Sequence, residues 1–297
     1  MPMLFPRRTS VSFKVLVSVL ALCAAICWGG EKQSEPTRTW DLREFGYSSE
    51  QADYSVAEFL SDNLLLVAIN QRAVSSPHPL VEDTPEATLV LFDMSNGATL
   101  GKARTPMSKS NYSIAPVLGS QFLMLTSSEV RLCSIDLQCD RSVPTKGPLW
   151  VSPDRARAVV GGNLGTPQVV LDSRTLAPIV DADHNSPNIP AKPGASYGRD
   201  GSFAESILSA DGQRLMKVKV KQTGWNKLTN PLSGFGDRPY NSQRIVVYEK
   251  RSGAELFAIH WDPRKLGTSL TTLPALSPTG HEVARLRRGV VEVFDVP

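Results

Sequence analysis

An all-β fold built from repeated antiparallel sheets is what this sequence predicts, on three observations. An apolar stretch, a tight polar turn and a second apolar stretch recur five times. They read FLSDNLLLVAI at 59–69, VLGSQFLMLTS at 117–127, WVSPDRARAVV at 150–160, ILSADGQRLMKV at 207–218 and ALSPTGHEVARL at 275–286. A second element follows the first four copies, an apolar strand ending in an acidic or polar residue and a short turn: ATLVLFDMSNGATL at 87–100, SEVRLCSIDLQCDRSV at 128–143, PQVVLDSRTLAPIV at 167–180 and QRIVVYEKRSGAELFAI at 243–259. The fifth copy ends at Pro297 without room for a fourth strand, while TRTWDLREFG at 37–46 precedes the first copy and reads as an unpaired strand. Units repeated at tens of residues are supersecondary blocks that bury their apolar faces only against one another.

Each element follows in order. Residues 1–30 place Arg7, Arg8 and Lys14 before VLVSVLALCAAICW, an apolar run of 14 residues, and then Gly29-Gly30. A basic segment, a short apolar core and small residues fit a secretory signal peptide, and the run is shorter than the ~20 residues a membrane span requires. A retained N-terminal anchor is the alternative, and it is the one membrane contact the sequence suggests. Residues 31–36 form a linker and 37–297 the folded domain. The leader carries the whole charge excess: residues 31–297 hold 29 Lys+Arg against 29 Asp+Glu. A neutral domain has no general electrostatic pull toward nucleic acid, so no nucleic-acid partner is expected.

Alternation such as Leu89 and Leu91 against Asp93, or Val246 and Tyr248 against Glu249, is strand periodicity, and Asn96-Gly97 and Ser252-Gly253 mark hairpin turns. One unit is thus four consecutive antiparallel strands, A to D. Short strands with regular turns leave a sandwich or a radial array, and repetition of one unit favours the array. Blades stacked face to face round an axis bury both sheet faces, which explains consecutive apolar runs such as LLLVAI and FLMLT. The prediction is a five-bladed β-propeller of four-stranded blades, closed by 37–46 pairing with 289–296. Such closure removes an exposed edge.

The turn strings SPDR at 152–155, SADG at 209–212 and SPTG at 277–280 resemble the S-P-D-G turn of WD-repeat-like and TolB-like bacterial propeller repeats. The resemblance covers roughly 50–297, departs from pattern at SDNL (61–64) and is lost at LGSQ (118–121). It implies the architecture and, with the leader, an exported bacterial protein, periplasmic or extracellular. Asp and Gly suit tight turns through local hydrogen bonding and positive φ, so Asp154 and Asp211 read as structural. Outside the leader only Cys133 and Cys139 remain, flanking a short turn. In an exported protein such a pair reads as a disulfide, with buried reduced thiols as the alternative.

Connections alternate between the two rims, A–B and C–D on one, B–C and D–A on the other. The long ones, 71–87, 181–203 and 221–243, fall on the same rim. Long loops on rigid scaffolds carry function. The candidate ligand-binding residues are Trp225, Phe235, Asp237, Arg238 and Tyr240 in the third loop, with His184, Tyr197 and Arg199 in the second. Aromatic rings beside polar groups suit a glycan or a macromolecule, and pinning the loop to a neighbouring blade is the other reading. No nucleophile–base pair, phosphate loop or metal-ligand spacing appears, so no catalytic residue, metal or cofactor is assigned. The expected function is a non-enzymatic binding module. The alternative is a glycan-active hydrolase or lyase with carboxylates gathered at the axis.

Overall fold

The strands pair as five antiparallel sheets arranged as a five-bladed β-propeller in the computed structural model. It describes residues 34–47, 55–71, 86–106, 114–145, 149–161, 168–179, 196–197, 203–221, 242–261, 274–287 and 289–297. Strand β1 (Arg38–Asp41) precedes the first blade and runs into a 3-10 turn at Leu42–Phe45. Blade 1 is β2 (Val56–Ser61), β3 (Leu64–Gln71), β4 (Glu86–Asp93) and β5 (Thr99–Pro106). Blade 2 is β6 (Ile114–Pro116), β7 (Phe122–Leu125), β8 (Glu129–Cys133) and β9 (Cys139–Pro144). Blade 3 holds β10 (Leu149–Val151), β11 (Arg157–Val160) and β12 (Val169–Asp172). Blade 4 is β13 (Ser196–Tyr197), β14 (Phe203–Leu208), β15 (Arg214–Lys221), β16 (Ser242–Glu249) and β17 (Glu255–Trp261). Blade 5 is β18 (Ala275–Leu276), β19 (Glu282–Arg287) and β20 (Val290–Asp295), completed by β1.

Two blades depart from the four-strand expectation. In blade 3 the fourth strand is reduced to an isolated bridge between Leu171 and Pro178. Proline has no N–H to donate, so a ladder does not run through it. In blade 4 a fifth strand, β13, joins the inner edge of β14, with Tyr197 opposite Phe203.

The chain ends close the ring as the unpaired N-terminal strand predicts. β1 pairs antiparallel with β20, Arg38 opposite Val293 and Asp41 opposite Val290. The Trp40 ring lies 4.9 Å from that of Phe92 in blade 1, and its Nε1 donates to the Gly97 carbonyl at 2.9 Å. The strand that completes blade 5 therefore also grips blade 1. An ion pair from Arg38 to Glu282 of β19 at 2.6 Å ties it across β20.

The packing explains the unbroken apolar runs. Leu65, Val67, Ile69, Val90 and Phe92 pack toward blade 5 with Ala284, Val291 and Val293. Their neighbours Leu66, Ala68, Leu89 and Leu91 pack toward blade 2 with Phe122 and Met124. Alternate residues of one strand thus enter two different cores. Each fully buried Leu, Val or Phe stabilises by about 1.5–3 kcal/mol, so the seams between blades hold the ring together. Blades 2 and 3 share an apolar seam through Leu123, Leu132, Ala158 and Leu171, and blades 4 and 5 through Met216, Val247, Val283 and Phe294. On its other face, blade 3 contributes Val159 and Val170 with Trp150 and Ile179 against them.

Candidate functional site

The first strands of successive blades adjoin one another, β18 beside β2, β2 beside β6 and β6 beside β10, so they line the axis. One of these strands, β2, carries Glu58, and β14 of blade 4 carries Glu205. Glu205 is buried and Glu58 is only partly accessible. Burial pushes the Glu58 carboxyl up to about 8; Arg155 opposes the shift and the negative charge of Glu205 adds to it. Residues 147 apart in sequence are therefore within electrostatic reach of one another at the axis. Burial thus favours the protonated form of Glu58, with Glu205 among the charges that act on it.

Arg155 comes from the A–B turn of blade 3. It stands where the matching turns of blades 4 and 5 have Gly212 and Gly280, and it keeps their left-handed backbone, φ 61° against 73° and 75°. A non-glycine residue there is strained. Its carbonyl is held by the Ser173 hydroxyl at 2.6 Å, and its guanidinium reaches blade 1, donating to the carbonyls of Leu60 at 2.6 Å and Phe59 at 2.9 Å. Those carbonyls lie where the β2–β3 register shifts between Phe59 and Ser61. Desolvation lowers the Arg155 pKa, while Glu58 and Asp62 pull it back up.

The neighbouring turns are tied together on the same rim. Thr279 donates to Asp62 Oδ1 through its amide at 3.1 Å and its hydroxyl at 2.8 Å. The Asp211 amide donates to the Pro278 carbonyl at 3.3 Å. The A–B turns of blades 4, 5 and 1 are thereby linked, and Arg155 reaches from the turn of blade 3 to the inner strand of blade 1. Ser209 shows how each turn is built: its hydroxyl donates to Asp211 Oδ1 at 2.6 Å and accepts from the Arg214 amide at 2.9 Å, and Asp211 accepts from the Gln213 amide at 3.0 Å. Ser152 and Asp154 repeat this pattern. Both aspartates shape turns, as their sequence context implies.

Cys133 and Cys139 form a disulfide across the C–D turn of blade 2, with an S–S distance of 2.08 Å. Trp225, Phe235, Asp237, Arg238, Tyr240, His184 and Arg199 lie outside the described residues. Tyr197 is placed on β13, at the inner edge of blade 4. Among the described residues there is no group of three or more His, Cys, Asp or Glu able to hold a metal ion, and no helix long and apolar enough to cross a membrane. Sequence reasoning missed the axial group. Its signals were present: a lone charged residue in each of the strands VAEFLS and FAESIL, and an arginine in the glycine place of SPDR.

The strand pairing and this axial geometry define a β-propeller. No protein-family model matches the chain, and no curated protein matches it in sequence. Solved structures similar to it include the WD40 domain of Neurospora crassa Pan2, at 11% identity over 90% of this chain and 96% of that one, with a TM-score of 0.41. Kuenenia stuttgartiensis hydrazine synthase is similar at 9% identity over 84% and 78% of the two chains, TM-score 0.39. Kluyveromyces lactis Hsv2 is similar at 12% identity over 82% and 74%, TM-score 0.32. The blade count rests on the strand pairing of this chain, and no function is carried over from these proteins.

Proposed function

We propose that this chain is an exported, non-enzymatic binding propeller that engages a macromolecule or glycan through the rim of its B–C and D–A connections. The basic–apolar leader and the disulfide support export. The difference between the two rims carries the binding reading. Every described A–B and C–D connection is a short turn, and the A–B turns of blades 4, 5 and 1 are bonded in succession. By the alternation of connections, the long segments 71–87, 181–203 and 221–243 belong to the other rim. Binding loops on rigid scaffolds are long connections of this kind. The test is a glycan and peptide array probed with the wild-type protein and with Trp225→Ala and Tyr240→Ala. Binding that both variants retain in full would sink the reading.

The axial glutamates favour a second reading, a hydrolase or lyase acting on extracellular glycans. A protonated carboxyl beside another acid is the pairing that glycoside chemistry uses. Glu58→Gln and Glu205→Gln should then each abolish release of reducing ends from a polysaccharide panel. A wild-type protein inactive on the whole panel removes this reading and leaves the first intact.

A further inference from the structure

We infer that the opposite rim, at blades 1 to 3, is a docking surface for an extended peptide of a partner protein that presents a bulky apolar side chain near a carboxylate. The large hydrophobic side chains exposed among the described residues are Leu100 at 53%, Leu118 at 41% and Ile135 at 44%. One exposed leucine is ordinary. Here Leu118 and Ile135 share the A–B and C–D rim of blade 2, and Leu100 opens β5 just past the C–D turn of blade 1.

Leu118 lies in the A–B turn of blade 2 and Ile135 in the C–D turn of the same blade. Turns two strand intervals apart on one rim are separated by about 10 Å. Leu100 comes from the neighbouring blade: a Cβ placed on the adjacent Gly101 would sit 3.4 Å from Leu137 Cδ1, so the start of β5 lies against the turn that carries Ile135. The fold itself does not require apolar tips here. At the matching place blades 3 and 5 use Ser-Pro and blade 4 Ser-Ala, and Leu118 opens the LGSQ string where the repeat pattern is lost. The Cys133–Cys139 bridge spans the base of the Ile135 turn, which restricts it before any partner arrives and lowers the ordering cost of binding.

The charge beside the patch identifies the partner chemistry. A cleft of about 430 Å³ between blades 2 and 3 is lined by Gln121, Arg141, Asp172, Arg174 and Thr175. Gln121 belongs to the same turn as Leu118, so patch and cleft adjoin. Asp172 is committed to its own turn: Oδ1 accepts from the Arg174 amide at 3.1 Å and from the Thr175 amide and hydroxyl, both at 2.9 Å. Arg141 donates to the Arg174 carbonyl at 3.1 Å, which sets its guanidinium beside the second arginine's backbone. Its contact with Asp140, at 3.9 Å between exposed side chains, is weak. Two cationic side chains therefore border the apolar patch, and a carboxylate is the group that complements them.

The probe is a random peptide library displayed on phage and panned on the immobilised full chain. The enriched peptides should carry Asp or Glu within a few residues of a Leu, Ile, Phe or Trp. By fluorescence polarisation, the best labelled peptide should bind about tenfold or more weakly to Leu118→Asp and to Arg141→Glu. Replacing its acid by Lys should restore binding to Arg141→Glu. Both substituted side chains are exposed, and unchanged melting temperatures confirm that the variants fold. Trp225→Ala should leave this binding intact, so the result is independent of the proposed loop-rim function. Peptides without the acid–apolar pairing, or paired peptides indifferent to both variants, would overturn the inference. Concentration-dependent self-association lost in Leu118→Asp would also overturn it, by making this face a contact between two copies.

Discussion

Replacing Glu58 by Gln should stabilise the protein at neutral and alkaline pH, although it removes a charge close to an arginine. Unfolded, a glutamate titrates near 4.5, whereas Glu58 in the folded chain is pushed up to about 8, chiefly by burial. The native state therefore holds this proton more tightly than the unfolded chain, and the folded protein loses stability as pH rises from 4.5 toward 8. At about 1.4 kcal/mol per tenfold change in proton affinity, the loss amounts to about 3 kcal/mol at neutral pH and about 4–5 kcal/mol once Glu58 is ionised. Gln copies the shape and hydrogen bonding of the protonated carboxyl and does not titrate. The charges that set the shift are Arg155, which favours the ionised form, and Glu205, which opposes it. Urea unfolding followed by tryptophan fluorescence, for both proteins at about pH 5 and about pH 8, isolates the effect, because every other titrating group cancels in the difference. The variant should exceed the wild type by about 1 kcal/mol at the lower value and by about 4 kcal/mol at the upper one. A constant difference between the two pH values, or a variant less stable than wild type at the upper one, would refute the axial electrostatics argued from the fold.

Other predictions concern the latch and the disulfide. Gly289 has φ 76°, and a Cβ there would sit 2.5 Å from Tyr47 Cδ1, so Gly289→Ala should lower stability by about 2 kcal/mol or more and loosen β1. Faster hydrogen exchange of the Arg38–Asp41 amides would register the loosening. Trp40→Phe keeps the ring against Phe92 but loses the 2.9 Å bond to Gly97, so chemical denaturation should show a loss of about 1 kcal/mol. The Cys133–Cys139 bridge closes a loop of sequence separation 6, and the double Cys→Ser variant should lose about 2 kcal/mol. The intact bridge should lower the native mass by two hydrogens relative to the reduced chain.

What the sequence determined by itself was local and repetitive. Turn strings such as SADG, the alternation in QRIVVYE and the spare strand at RTWD each carry their information within a few residues, because turn geometry and strand period are properties of short segments. Counting the copies was enough to foresee the blades and the closure by β1, and two cysteines flanking one turn foresaw the small disulfide loop. The tertiary structure decided which side chains meet. Glu58, Arg155 and Glu205 come from blades 1, 3 and 4, and nothing in their separate strings sets their distance from the axis. Ring closure does so, by bringing inner strands far apart in sequence to one line. Nothing in the strings around Leu100, Leu118 and Ile135 marks them as exposed; a twisted blade ends on a rim, and at its tips an apolar side chain has no neighbouring sheet to enter.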